Sequence, residues 1–149
     1  MTISLKIEGL EALQDKFSRI TPEANIGIRK AINQGALMVK GSAQRMILKS
    51  SNGRKYGRHT ASRAGDAPNK DTGELIRNIR VSAGKGNIKK GYSATVRAVT
   101  PYAMRLEYGG KDKRGVYIAP RPFMRPALAA NQDKINKLVL NAIRSAIDN

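Results

Sequence analysis

Ala24, Ile28, Ala31, Ile32, Ala36, Val39, Ala43, Met46 and Ile47 recur at helical spacing behind a Thr21-Pro22 start, and this run limits the fold more than any other feature. Threonine caps free N–H groups and proline suits the first turn, so the run predicts one helix reaching ~40 Å at 1.5 Å per residue. Gly27, Gly35 and Gly41 fall inside it. Each costs ~1 kcal/mol against alanine, so either the helix is weak there or another element approaches its backbone. Leu128, Ile135, Leu138, Ala142, Ile143, Ala146 and Ile147 mark a second long amphipathic helix, placed at 122–149.

The segments between are shorter. Ser4 to Glu8 alternate as a strand would, up to Gly9, and Leu10, Leu13, Phe17 and Ile20 mark one face of a short helix. Asp71 and Glu74 have capping-box spacing before Leu75 and Ile79. A strand at 80–83 and a half-buried strand carrying Tyr92, Ala94, Val96 and Ala98 follow, joined through the glycine-bracketed basic turn of Lys85, Lys89 and Lys90. Pro101 opens a short helix through Tyr102, Leu106 and Tyr108, stopped by Gly109-Gly110, and Val116-Tyr117-Ile118 reads as a third strand. The sum is α+β in one domain, 1–149: a small antiparallel β-sheet packed against two long α-helices, with a long basic loop.

That loop, 49–70, holds Lys49, Arg54, Lys55, Arg58, Arg63 and Lys70 against Asp66 alone. Connections of this length are usually functional or disordered, and composition leaves both a contact surface for phosphates or acidic protein and a solvated flexible loop open. Over the whole chain Lys+Arg number 28 against Asp+Glu 11, a net charge of +17, so an anionic partner is expected. Aromatic residues are sparse and show no paired platform for stacking bases, which argues for backbone or protein contact and against base reading. There is no cysteine, which excludes thiolate chemistry and disulfides. The start lacks a signal-peptide pattern and no apolar run nears the ~20 residues that span a bilayer, so a soluble chain made in the cytoplasm is expected.

Catalytic signals are weak. His59 stands alone in the basic loop, Ser62 lacks the Gly-x-Ser-x-Gly elbow, and the carboxylates are scattered. Gly84-Lys85-Gly86 and Gly109-Gly110-Lys111 lack phosphate-loop spacing. The reading is no enzyme, no cofactor and no metal. Glu107 is expected to be a structural carboxylate paired with Arg105 or Arg121 in a buried or interfacial salt bridge. Before the last helix, Ala119-Pro120-Arg121-Pro122-Phe123-Met124-Arg125-Pro126 is a stiff lead-in that seats Phe123 and Met124 in one place.

Taken in order, Asp71-Thr72-Gly73-Glu74-Leu75, Tyr102-Ala103 before Glu107-Tyr108-Gly109, and Arg121-Pro122-Phe123-Met124-Arg125-Pro126-Ala127-Leu128 resemble the small tail-component family of lambda-like tailed bacteriophages. Ile7 to Leu13 and Ala61 to Pro68 are similar too, while Gly110 stands where the family tends to carry Thr. Members are described as tail completion, head-tail joining or minor tail proteins. The resemblance implies an α+β fold without enzymatic activity, assembled in the host cytoplasm. It implies a homo-oligomeric ring of six copies at the head-proximal end of the tail, between tail tube and neck or connector. The basic loop would reach a neighbouring subunit or ring, and some cations would face lumenal DNA. The rival expectation is a sequence-independent nucleic-acid-binding basic protein.

Overall fold

The computed structural model of the chain describes residues 1–6, 22–49, 51–87 and 90–147. The expected helix through Leu10, Leu13, Phe17 and Ile20, and the Thr21 cap, lie outside the described residues.

The long helix forms as its spacing requires. Helix α1, Pro22–Leu48, is 27 residues long and buries Ile28, Ala31, Ile32, Ala36, Val39, Ala43 and Ile47 along one face. Its three glycines differ. A Cβ on Gly35 would sit 3.1 Å from Ile135 Cγ2, whereas one on Gly27 would meet nothing within 4 Å. Close approach of the last helix therefore accounts for Gly35, and among the described residues no neighbouring element accounts for Gly27.

Against α1 lies a three-stranded antiparallel sheet of β1 (Thr2–Lys6), β4 (Ile79–Asn87) and β5 (Gly91–Ala98), with β5 central. Strand β5 alternates as its sequence does, burying Tyr92, Ala94, Val96 and Ala98. Two side-chain bonds fix the sheet on the helix. The Tyr92 hydroxyl donates to Asn25 Oδ1, and the Gly84 N–H donates to Asn33 Oδ1 where the β4–β5 register shifts between Ser82 and Lys85. Strand β4 accordingly runs past the expected stop at Ala83, with Gly84 and Gly86 inside it.

Three further expectations are corrected. Tyr117–Ile118 (β7) pairs with Gly110–Lys111 (β6) in a separate two-stranded ribbon, and the sheet's third strand is β1. The basic loop holds its own ribbon, β2 (Lys55–Tyr56) with β3 (His59–Thr60). The second long helix is broken into α4 (Met124–Ala129) and α5 (Gln132–Ile147). Asn131 causes the break: its buried Nδ2 donates to the Ala127 carbonyl at 2.7 Å, while its own carbonyl accepts the Ile135 N–H at 2.9 Å. A side-chain amide thus replaces a backbone donor at the end of one helix, and the next begins there.

The chain therefore mixes helix and strand around one long helix and small antiparallel sheets, and among the described residues the buried apolar side chains form one cluster. Ile135, Val139 and Ile143 of α5, Met124 and Ala127 of α4, and Phe123 just before α4 belong to it. Among the described residues no helix is long and apolar enough to cross a membrane.

Candidate functional site

Helix α3, Ala103–Tyr108, ends at Gly109, whose φ of 76° turns the chain; a Cβ there would lie 3.0 Å from the Ile118 carbonyl oxygen. On its last turn Glu107 is fully buried. Its Oε2 accepts the N–H groups of Phe123 at 2.8 Å and Met124 at 3.0 Å, and its Oε1 accepts that of Arg125 at 2.8 Å. These are the first N–H groups of α4, which has no side-chain cap of its own. A carboxylate from another helix satisfies donors the short helix cannot, and its negative charge meets the positive end of the peptide dipoles.

The expected salt bridge exists with a different partner. Arg125 Nε lies 3.2 Å from Glu107 Oε1, its Nη2 donates to the Glu107 carbonyl at 3.1 Å, and the guanidinium stands 4.7 Å from the Tyr108 ring centroid. Arg105 and Arg121, the expected partners, are not bonded to the carboxylate among the described residues. Arg121 points the other way: Nε donates to the Ser62 carbonyl at 3.1 Å and Nη1 to the Ala119 carbonyl at 3.2 Å. The Gly65 N–H in turn donates to the Pro120 carbonyl at 2.9 Å. The proline segment is thereby stitched to α3 on one side and to the basic loop on the other.

The loop itself is folded back, not extended. Asn69 is its clasp, accepting the Ser51 N–H on Oδ1 at 2.8 Å and donating Nδ2 to the Ser51 and Thr60 carbonyls, each at 2.8 Å. The Lys70 N–H donates to the Ile47 carbonyl at 3.1 Å, closing the loop onto the end of α1. Arg63 Nε is bonded to the Asn52 carbonyl at 2.6 Å, and Arg54 lies over the Tyr56 ring. Lys49, Arg54, Lys55, Arg58, Arg63 and Lys70 all face solvent.

Helix α2, Glu74–Arg77, corrects the capping-box expectation. Gly73 precedes it with a φ of 81° and makes no side-chain cap, and the Glu74 N–H is taken at 3.3 Å by the Thr72 hydroxyl, not by Asp71. That left-handed turn takes Asp71 away from the helix start. Asp71 Oδ1 instead lies 3.8 Å from His59 Nδ1, so the loop histidine has a neighbouring carboxylate after all. Glu74 accepts the Tyr102 hydroxyl at 3.0 Å. Burial first, and then this carboxylate, push the Tyr102 phenol above its ordinary value.

Between these pieces lies a cavity of about 690 Å³. Leu75 and Leu106 are among its apolar lining, Lys70 to Glu74, Tyr102 and Arg121 line it too, and exposed Tyr56, Val116 and Tyr117 stand at it. Most of the motif residues either line this cavity or are buried beside it. Asp71, Thr72, Gly73 and Arg121 line the cavity, while Glu107, Phe123 and Met124 are wholly buried. Tyr108 is exposed and Pro122 and Pro126 are half-buried. No family model, curated protein or solved structure matches the chain.

Sequence reasoning missed the roles of four residues here. Arg125 binds Glu107, Asn69 clasps the loop, and Ser62 is buried with a hydroxyl that has no hydrogen-bond partner among the described residues. Asn131 breaks the last helix. The available signal was a polar residue beside an otherwise structural one: Asn69 follows Pro68, and Asn131 interrupts an apolar-spaced run. Among the described residues no group of three or more His, Asp or Glu side chains could hold a metal ion.

Proposed function

We propose that this chain is a structural component of a bacteriophage tail, a tail completion protein that forms a closed ring at the head-proximal end of the tail and docks on the neck or connector. The observation that carries this reading is the meeting of the resemblance-bearing motifs at one joint. Glu107 of the second motif holds the N–H groups of the third, and Arg121 of the third shares a cavity wall with Asp71, Thr72 and Gly73 of the first. Such wiring presents a surface in a fixed orientation. A ring needs that, because each subunit offers two unlike patches that must fit its neighbours and close.

The solvent side of the joint has the composition of a docking surface. Tyr56, Val116 and Tyr117 are exposed beside the folded basic loop, and tyrosine and arginine are the residues that interfaces favour. The loop of Lys49, Arg54, Lys55, Arg58, Arg63 and Lys70 is the part that reaches the neighbouring subunit or ring. A second reading, non-specific contact with nucleic acid, is favoured by the exposed cations of that loop and by the net charge of +17.

Electron microscopy of the purified protein, alone and mixed with isolated tails, tests the choice. Closed rings that cosediment with tails are expected. Soluble monomers that bind duplex DNA tightly and stoichiometrically, with no ring under any condition, would favour the nucleic-acid reading instead.

A further inference from the structure

We propose that the cavity beside Arg121 binds a carboxylate from an acidic protein segment, an aspartate or glutamate next to an aromatic residue, on the partner that the chain docks against. The proposal rests on the docking reading above and names the chemistry of the partner.

Two observations converge on it. Among the described residues the half-buried Arg121 guanidinium is bonded only to the carbonyls of Ser62 and Ala119, and no carboxylate lies within salt-bridge distance of it. A cation drawn partly out of water and given only carbonyl acceptors still lacks a counter-charge. Ser62, whose carbonyl Arg121 binds, also lines the cavity, is 3% exposed, and carries a hydroxyl with no hydrogen-bond partner. A buried hydroxyl without a partner is a standing cost, and an incoming oxygen removes it once the Ser62 side chain turns toward the cavity that the residue lines. A carboxylate supplies both what the guanidinium lacks and what the hydroxyl lacks.

The remaining lining selects a protein segment over a nucleic-acid backbone. Leu75 and Leu106 offer an apolar surface to an anchor side chain, and exposed Tyr56 and Tyr117 offer rings against which an aromatic neighbour packs. Asp71 and Glu74 line the same cavity. They repel a continuous run of phosphates, but a single carboxylate can be placed against Arg121 with its aromatic neighbour on the apolar side. The exposed Arg54, Lys55 and Arg58 then attract the rest of an acidic segment without having to bind it at fixed positions.

The test uses the full chain, isotope-labelled for NMR, and three probes: a capped peptide bearing Glu-Phe-Glu between glycines, the same peptide with glutamine for glutamate, and a single-stranded oligonucleotide. The glutamate peptide is expected to shift the Arg121 Nε–H signal and the amides around Ser62, and the glutamine peptide to bind at least about tenfold more weakly, as loss of a charge-assisted pair predicts. Ser62→Ala removes only the unpartnered hydroxyl and leaves the carbonyl that Arg121 holds. Its melting temperature should stay level or rise, while glutamate-peptide affinity falls about threefold or more. Arg121→Gln should abolish the selectivity; should that variant not fold, Ser62→Ala carries the test by itself.

Equal binding of the glutamate and glutamine peptides overturns the site, as does a Ser62→Ala variant that binds like the parent. So does an Arg121 signal that moves with the oligonucleotide alone. Rings that assemble on tails while the peptides show no selectivity would sink this inference and leave the tail reading standing. A glutamate-selective site in a chain that forms no ring would support the inference and overturn the ring.

Discussion

Glu107 and Asp112 lie five positions apart, and each gathers backbone N–H groups from the residues that follow. Glu107 takes those of Phe123, Met124 and Arg125 from inside the core, with no exposed surface. Asp112, whose side chain is 17% exposed, takes those of Arg114 and Val116 in a turn whose residues 113–117 are exposed. The bonding is of one kind, three N–H groups against two, and the surroundings differ. In the core, water cannot replace a lost acceptor, so three N–H groups depend on one carboxylate; in the turn, water stands ready for each. Position relative to solvent, more than the bond count, decides which carboxylate the fold cannot lose.

The largest effect should therefore come from Glu107→Ala. It strands three N–H groups at the start of α4 and removes the partner of Arg125, a loss of about 4 kcal/mol by the usual cost of opening a buried charged network. The half-exposed Arg125 guanidinium can turn to water, so most of that cost sits on the backbone. Urea unfolding measures it. Glu107→Gln keeps one acceptor oxygen and should lose less. A Glu107→Ala midpoint equal to that of Asp112→Ala would end the distinction between the two sites.

Next comes Phe123→Ala. The ring is wholly buried beside Met124 and belongs to the central cluster, so truncation should cost about 3 kcal/mol through lost burial and a residual cavity. Because Phe123 donates its N–H to Glu107 whatever its side chain, the carboxylate bond should survive. An unchanged Met124 amide protection in hydrogen exchange, alongside the lowered stability, would separate packing from capping at this joint.

Much of the scaffold was legible because it depends on local period. The face from Ile28 to Ile47 and the alternation from Tyr92 to Ala98 are properties of neighbouring residues, and both run as their spacing requires. The candidate site was legible only in outline. Phe123 and Met124 are wholly buried behind the proline lead-in, and Glu107 is bonded, as a salt bridge would be, to an arginine, but that partner lies 18 positions on, at Arg125. A separation of that size is set by how two helices meet, which no local spacing encodes. Asp71 shows the converse: its spacing to Glu74 was right for a cap, and the left-handed Gly73 between them turned the chain away. Asn69 and Asn131 acted through side-chain amides on distant or adjacent carbonyls, so each looked like an ordinary polar residue.

Asn69 gives the middle term of the comparison, a half-buried clasp with three bonds and no charge. Asn69→Ala should cost about 1–2 kcal/mol, the net worth of neutral bonds whose partners can reach water. The loss should stay local. Faster exchange at the Ser51 and Ala61 amides with undisturbed Phe123 and Met124 amides is the expected pattern. Global loosening would mean that the loop and the Glu107 joint form one unit and not two.

The smallest effect belongs to Asp112, and pH is the way to read it. The Val116 N–H above all, with the Arg114 N–H and guanidinium, holds its carboxyl below the ordinary value of 3.8. A carboxylate lowered in the folded state adds its stability above the unfolded value and loses it as pH falls through the folded one. The turn joining β6 and β7 should therefore stay intact down to pH 3.8 and loosen only below it. The Val116 and Arg114 amide shifts in an acid titration follow this directly. They should move together at the titration of one carboxyl, while the thermal midpoint in neutral solution is barely altered in Asp112→Asn. A turn that opens at a higher pH would show that the N–H bonds to Asp112 are too weak to hold it. The contrast with Glu107 would then be one of bonding as well as of burial.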